Sequence, residues 1–234
     1  MFTYPISNGT PDPLIDIKSG MLAYYEMNVS DVPVVDSHGY GPNIANKNAG
    51  TSFAAGLIGN SVTTADAGYS FSVHRDQALS SRLHLFGVDF TIVMWIKPAT
   101  LAANENLLWR QSGSLGYSMV TSSGDGTKIG VLTNADTLFS TDSITAGAWN
   151  MITYTRQLSP QRKTVSINAQ APTVTTSYTA DGSSAYAHLI WGTTTNSFVR
   201  QTDITGFWNR ILNEDEITAL YNGGAGVAYA DLPV

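Results

Sequence analysis

The chain has 234 residues, no cysteine, a formal net charge of −6, and 13% charged side chains against 43% hydrophobic ones. This charge balance offers no basic stripe to neutralise phosphates, so nucleic acid is not an expected partner, and without cysteine there is neither disulfide nor thiolate chemistry. The longest apolar run, 90–96, is far too short to cross a bilayer and no basic, apolar leader opens the chain, so neither membrane insertion nor a cleaved signal is expected.

Residues 1–19 hold Pro5, Pro11 and Pro13 in a polar setting, and the triplet Pro11-Asp12-Pro13 lacks the N–H groups that a central strand needs. They are expected to form an N-terminal arm that docks on a protein partner or folds back on a single domain over 20–234. Asn8-Gly9-Thr10 and Asn28-Val29-Ser30 match the glycosylation sequon and are read as turns. Short apolar or alternating runs predict strands over 70–73, 90–97, 106–110, 117–121, 128–133, 149–156, 164–168, 188–192 and 198–208. Asp125-Gly126 and Ser159-Pro160-Gln161 each separate two of these runs and predict hairpins. One helix is expected over 214–221. Asn213 caps it, Glu216 reaches back to the cap, Leu212 and Ile217 form a staple, and Gly223 or Gly224 supplies the stop. Many evenly spaced strands with such turns argue for a sandwich of two sheets around one core.

Several blocks carry a family likeness in order. They are Gly20-Met21-Leu22-Ala23-Tyr24-Tyr25, the loop Asp36-Ser37-His38-Gly39-Tyr40-Gly41, Gly56-Leu57-Ile58-Gly59-Asn60-Ser61-Val62, and Asp89-Phe90-Thr91-Ile92-Val93-Met94-Trp95. Ala148-Trp149-Asn150-Met151-Ile152-Thr153-Tyr154 follows, and the closing run is Thr202-Asp203-Ile204-Thr205-Gly206-Phe207-Trp208-Asn209-Arg210-Ile211-Leu212. Together they resemble the laminin-G-like branch of the concanavalin A-type jelly rolls, from about Gly20 to Tyr229. The resemblance implies an all-β, two-sheet antiparallel jelly-roll sandwich with one short C-terminal helix. It also implies a structural Ca²⁺, for which Asp36 and Asp203 are the candidate ligands. Calcium takes six to eight hard oxygens, and a glycine-rich loop can add carbonyls to one or two carboxylates. Ile204 stands where an acidic residue commonly follows in that pattern, and His38 and Tyr40 replace smaller residues. The alternative is that Asp36 makes an Asx turn and Asp203 caps a strand end.

Trp95, Trp149, Trp191 and Trp208 fall in strands and are expected to face the sandwich core. Trp109, beside Arg110 at a strand end, is the candidate contact for a glycan or a partner, with a position at the rim of the core as the alternative. The four histidines show no metal spacing, and the chain has no nucleophile elbow, phosphate loop or dinucleotide fingerprint. No strand carries the alternating carboxylates of a glycosidase, and Glu214-Asp215-Glu216 sits in a first helical turn where the helix dipole accounts for it. Catalysis is therefore not expected.

Two functions follow. The first is a non-catalytic virion-surface protein, a bacteriophage capsid decoration or fibre-associated attachment protein that meets its protein partner through the arm. The alternative is a calcium-assisted carbohydrate-binding or adhesion module, extracellular or at a cell surface, that recognises glycans. Homo-oligomers are compatible with either, because a weakly charged β surface has few lysines guarding its edges.

Overall fold

The computed structural model describes residues 15–47, 50–64, 71–74, 76–112, 115–133, 136–179, 189–192 and 199–234. Among them the chain forms the strands β1 (Met21–Tyr25), β2 (Asn46–Lys47), β3 (Thr51–Ala55), β4 (Asn60–Thr64) and β5 (Phe71–Val73). Then come β6 (Phe90–Pro98), β7 (Asn106–Ser112), β8 (Leu115–Thr121), β9 (Ile129–Thr133) and β10 (Asp136–Phe139). The last are β11 (Asn150–Gln157), β12 (Arg162–Ile167), β13 (Thr173–Thr175), β14 (Leu189–Trp191) and β15 (Arg200–Trp208), followed by helix α1 (Glu214–Tyr221).

The strands make two antiparallel sheets. An eight-stranded sheet runs β13-β12-β11-β6-β15-β4-β3, with β1 paired to the end of β15, and a seven-stranded sheet runs β10-β9-β8-β7-β14-β5-β2. Both expected hairpins form: β8 pairs with β9 across Asp125 and Gly126, and β11 pairs with β12 across Ser159 and Pro160. The expected sandwich is thus observed.

Alternation along the strands fills the space between the sheets. Ile92, Met94 and Ile96 of β6 and Ile152 and Tyr154 of β11 meet Tyr117, Met119, Ile129 and Val131 from the other sheet. Trp191 stacks on Phe71 at 4.9 Å and meets Tyr25 and Phe207 edge-on. Each such side chain contributes about 1.5–3 kcal/mol on burial.

The eight-stranded sheet is buried on its outer face as well. There Tyr24, Val93, Trp95, Met151, Ile204 and Trp208 are covered by Ile17, Leu212, Leu220 and Leu232. That second layer explains why β6 reads as a continuous apolar run, since a strand covered on both faces has no polar side. It also corrects the placement of the tryptophans: Trp95 and Trp208 lie in this outer layer, Trp191 alone of the four lies between the sheets, and Trp149 is half-buried just before β11.

Helix α1 starts as its sequence predicts, but its left-handed stop falls before the expected Gly223 or Gly224. Glu216 N–H donates to Asn213 Oδ1 at 2.9 Å, and Asn213 N–H donates to Glu216 Oε2 at 2.8 Å. Arg210 grips the same Glu216 carboxylate with two N–H groups, at 2.6 and 2.8 Å. The stop is Asn222, which takes the left-handed conformation at φ 47° one residue before Gly223.

The final residues of the expected arm lie on the domain. Ile17 is fully buried; its N–H donates to Pro233 O at 3.2 Å, and its carbonyl accepts from the Trp208 indole at 2.7 Å. Arg210 donates to the carbonyls of Asp16 and Ser19. The rest of the arm, including Pro11-Asp12-Pro13, lies outside the described residues.

Candidate functional site

The outer face of the seven-stranded sheet carries the best candidate. Leu107 and Leu108 of β7 join the core across a bulge, and Arg110 is fully buried, so alternation turns Trp109 to the opposite face. Cross-strand register then assembles a row around it. Trp109 stands between Ile190 and Ser118; Ile190 pairs with Ser72 and Ser72 with Asn46, while Ser118 pairs with Leu132 and Leu132 with Thr137. Trp109 is half-buried, and its indole N–H makes no hydrogen bond to a described residue. Beside it the Ser118 hydroxyl is buried and has no hydrogen-bond partner. An aromatic plane flanked by unused polar groups in the middle of a sheet is a surface for a ligand with apolar faces and hydroxyl edges.

A second row crosses the same face: Asn106, Val120, Gly130 and Phe139. Leu138 packs on the core, so Phe139 points outward, 42% exposed. Its ring lies over Gly130, where a Cβ would come within 2.6 Å of the ring edge. Glycine is required there because the aromatic covers the backbone. Trp109 and Phe139 stand on strands three positions apart, which places their planes about 14 Å apart across the sheet. Sequence reasoning singled out Trp109 but missed Phe139, which ends a four-residue edge strand too short to read by periodicity.

The other expected site residues are placed differently. Arg110, expected at the surface beside Trp109, is buried and donates to Ser80 O at 3.2 Å. Burial holds its pKa below the usual guanidinium value. With the Tyr117 hydroxyl, which donates to Leu83 O at 2.9 Å, it pins the 3-10 turn Ser80–Leu83 to the sheet. It therefore offers nothing to a surface ligand, because alternation that exposes Trp109 buries its neighbour.

Asp36 and Asp203 serve different loops. The Asp36 carboxylate accepts three backbone N–H groups, from Tyr24 at 2.7 Å, His38 at 3.1 Å and Gly41 at 2.6 Å. Asp203 Oδ2 accepts from Leu57 at 2.6 Å and Ile58 at 3.0 Å, while Oδ1 is buried without a partner. Burial pushes the Asp203 carboxyl up to about 6, against the two backbone hydrogen bonds that favour its ionised form. Among the described residues, no group of three or more histidine, aspartate and glutamate side chains could hold a metal ion. A Ca²⁺ held jointly by these two carboxylates does not fit this arrangement, since a carboxylate that closes a loop on three N–H donors has its lone pairs already directed.

The order of strands, the outer layer on one sheet and the capped closing helix can be set against known families. Residues 72–218, more than half of the chain, match the laminin-G-type model of the concanavalin A-like lectin/glucanases superfamily. The chain belongs to this superfamily. Among solved structures, the superfamily fold here is similar to the binding domain of Paraclostridial Mosquitocidal Protein 1, with a TM-score of 0.71 and 15% identity over 89% of this chain and 53% of that one. It is also similar to the Botulinum Neurotoxin Type G receptor binding domain, with a TM-score of 0.65 and 17% identity over 88% and 52% of the two chains. The chain thus spans about half the length of these toxin binding domains. Domain 4 of AbnA, an extracellular GH43 arabinanase from Geobacillus stearothermophilus solved in complex with arabinotriose, is matched over nearly its whole length. There the TM-score is 0.62 at 15% identity, covering 85% of this chain and 97% of that one. No curated protein sequence matches the chain.

Proposed function

We propose that this chain is a non-catalytic carbohydrate-binding module that takes a glycan across the outer face of its seven-stranded sheet. The observation that carries the reading is Trp109, half-buried at the centre of that face with an unused N–H beside the partnerless hydroxyl of Ser118. Trp109 stacks on one sugar ring and Phe139 on another further along the chain, while Thr137 meets hydroxyl groups beside Phe139 and Ser72 meets them on the far side of Trp109. The arabinotriose bound to the AbnA domain supports the ligand class, because that domain is matched from end to end. The virion-surface role expected from the sequence rests on features outside the sheets and is compatible with this one, since a virion protein can carry a glycan-binding face. Calorimetric titration with arabinotriose and a panel of plant and bacterial oligosaccharides tests the reading. A sugar ring that covers about 80 Å² of indole gains about 2 kcal/mol, so Trp109→Ala should weaken binding about thirtyfold. Equal affinity in the variant and the wild type refutes it.

A further inference from the structure

On the opposite side of the molecule, the outer face of the eight-stranded sheet changes character between two neighbouring strands. Over β6 and β15 it is apolar and covered, whereas the outward positions of β11 and β12 beyond Met151 are Thr153, Thr155, Thr164 and Ser166, four hydroxyls in two cross-strand pairs. The closing segment leaves them at the bottom of a groove, where each is still buried. Thr91, the partner of Thr155 on β6, accepts from Leu212 N–H at 2.9 Å and donates to Arg210 O at 2.8 Å, so the chain is tied down one strand short of the hydroxyl floor. Helix α1 then rises as a wall with Ile217 and Thr218 toward the floor. The facing wall is the segment from Ala169 to Pro172, which follows the turn at Asn168. That turn is held in place, since Met151 N–H donates to Asn168 Oδ1 at 2.8 Å. The groove between the walls has a volume of about 480 Å³, within the range of small-ligand sites. Arg162 stands at its rim on β12 and Glu214 at the first turn of α1, both exposed.

The floor has unused bonding capacity. The Thr153 hydroxyl is buried and has no partner. Thr155 and Thr164 share one hydrogen across 2.6 Å, which leaves a second hydroxyl hydrogen to give. Hydroxyls both donate and accept and carry no charge, so they match the edge of a neutral sugar rather than an ion, and the threonine methyls with Ile217 and Pro172 suit its apolar face. We propose that this groove is a second carbohydrate site, which seats a neutral saccharide by its hydroxyl edge and leaves the Trp109 face free for another. The ligand class rests on the carbohydrate-binding reading; the site itself does not. With one site on each sheet, a single chain would link two glycan strands.

An NMR titration of the full chain with arabinotriose, and separately with cellotriose, tests this. The expected result is that amides at 153–155, 164–166 and 169–171 shift with at least one trisaccharide, and that Trp109→Ala leaves those shifts in place. Thr153→Val should weaken this set at least tenfold while the melting temperature holds or rises, because the hydroxyl it removes has no partner in the fold. Thr153→Ser, which keeps the hydroxyl, should restore the response. The proposal is overturned if the groove amides stay still while the Trp109 row responds, if Thr153→Val titrates like the wild type, or if Trp109→Ala abolishes both sets of shifts. Stillness on both faces overturns the carbohydrate reading as a whole.

Discussion

Asp203→Asn isolates the energetic consequence of burying one carboxylate. The Asp203 side chain is fully buried, and burial lifts its pKa from 3.8 to about 6. Between those values the folded chain holds a proton that the unfolded chain has released, so this group makes stability fall as pH rises from about 4 to about 6, with the deficit complete above that. At 1.36 kcal/mol per pKa unit the gap is worth about 3 kcal/mol. An asparagine carbonyl still accepts from Leu57 and Ile58 but never ionises. Urea unfolding followed by tryptophan fluorescence at pH 4 and pH 8 should therefore show the variant gaining about 3 kcal/mol relative to the wild type across that interval. The double difference matters for two reasons. Any pH-independent cost of the new amide cancels, and so does His84, whose pKa is held down to about 4 by burial and by Arg110 and which acts in the opposite sense over the same range. A difference that stays flat within about 1 kcal/mol would show that Asp203 ionises normally and that the reasoning from burial fails.

Three further outcomes are expected. Thr91→Val should cost about 2 kcal/mol in chemical unfolding, because it strands the buried Leu212 N–H and the Arg210 carbonyl that the threonine hydroxyl serves. Glu216→Ala should cost about 2–3 kcal/mol in thermal unfolding by removing both the cap on Asn213 and the grip of Arg210, and Glu216→Gln should recover part of it. Adding Ca²⁺ or EDTA should move the melting temperature by less than about 1 °C, whereas a rise of several degrees with Ca²⁺ would reveal a site that the described carboxylates do not account for.

The long central strands and the closing helix were legible because their signals are local. A seven-residue, almost wholly apolar run, an Asp-Gly turn and a capping box each act within a few residues. The edge strands β2, β10 and β13 were not, since two to four residues carry no period and their place is set by the neighbour they pair with. The same division governs the site. Trp109 was visible as an aromatic at a strand end, but its neighbour Arg110 looks equally exposed in sequence and is buried only by register and by the turn at Ser80. Phe139 needed Gly130 beneath it, a relation that spans two strands. Asp36 and Asp203 show the harder case, because a carboxylate that closes a loop on backbone N–H groups and one that ligates calcium sit in the same glycine-rich setting; only their hydrogen bonds tell them apart.

The hydrogen bond from Ile17 to Pro233 brings the two ends of the described fold side by side on the back of the eight-stranded sheet. A polypeptide that enters there also leaves there, so the domain can be spliced into a surface loop of another protein without prying that loop open. Hung from that point, it would carry the Trp109 face outward, away from its tether.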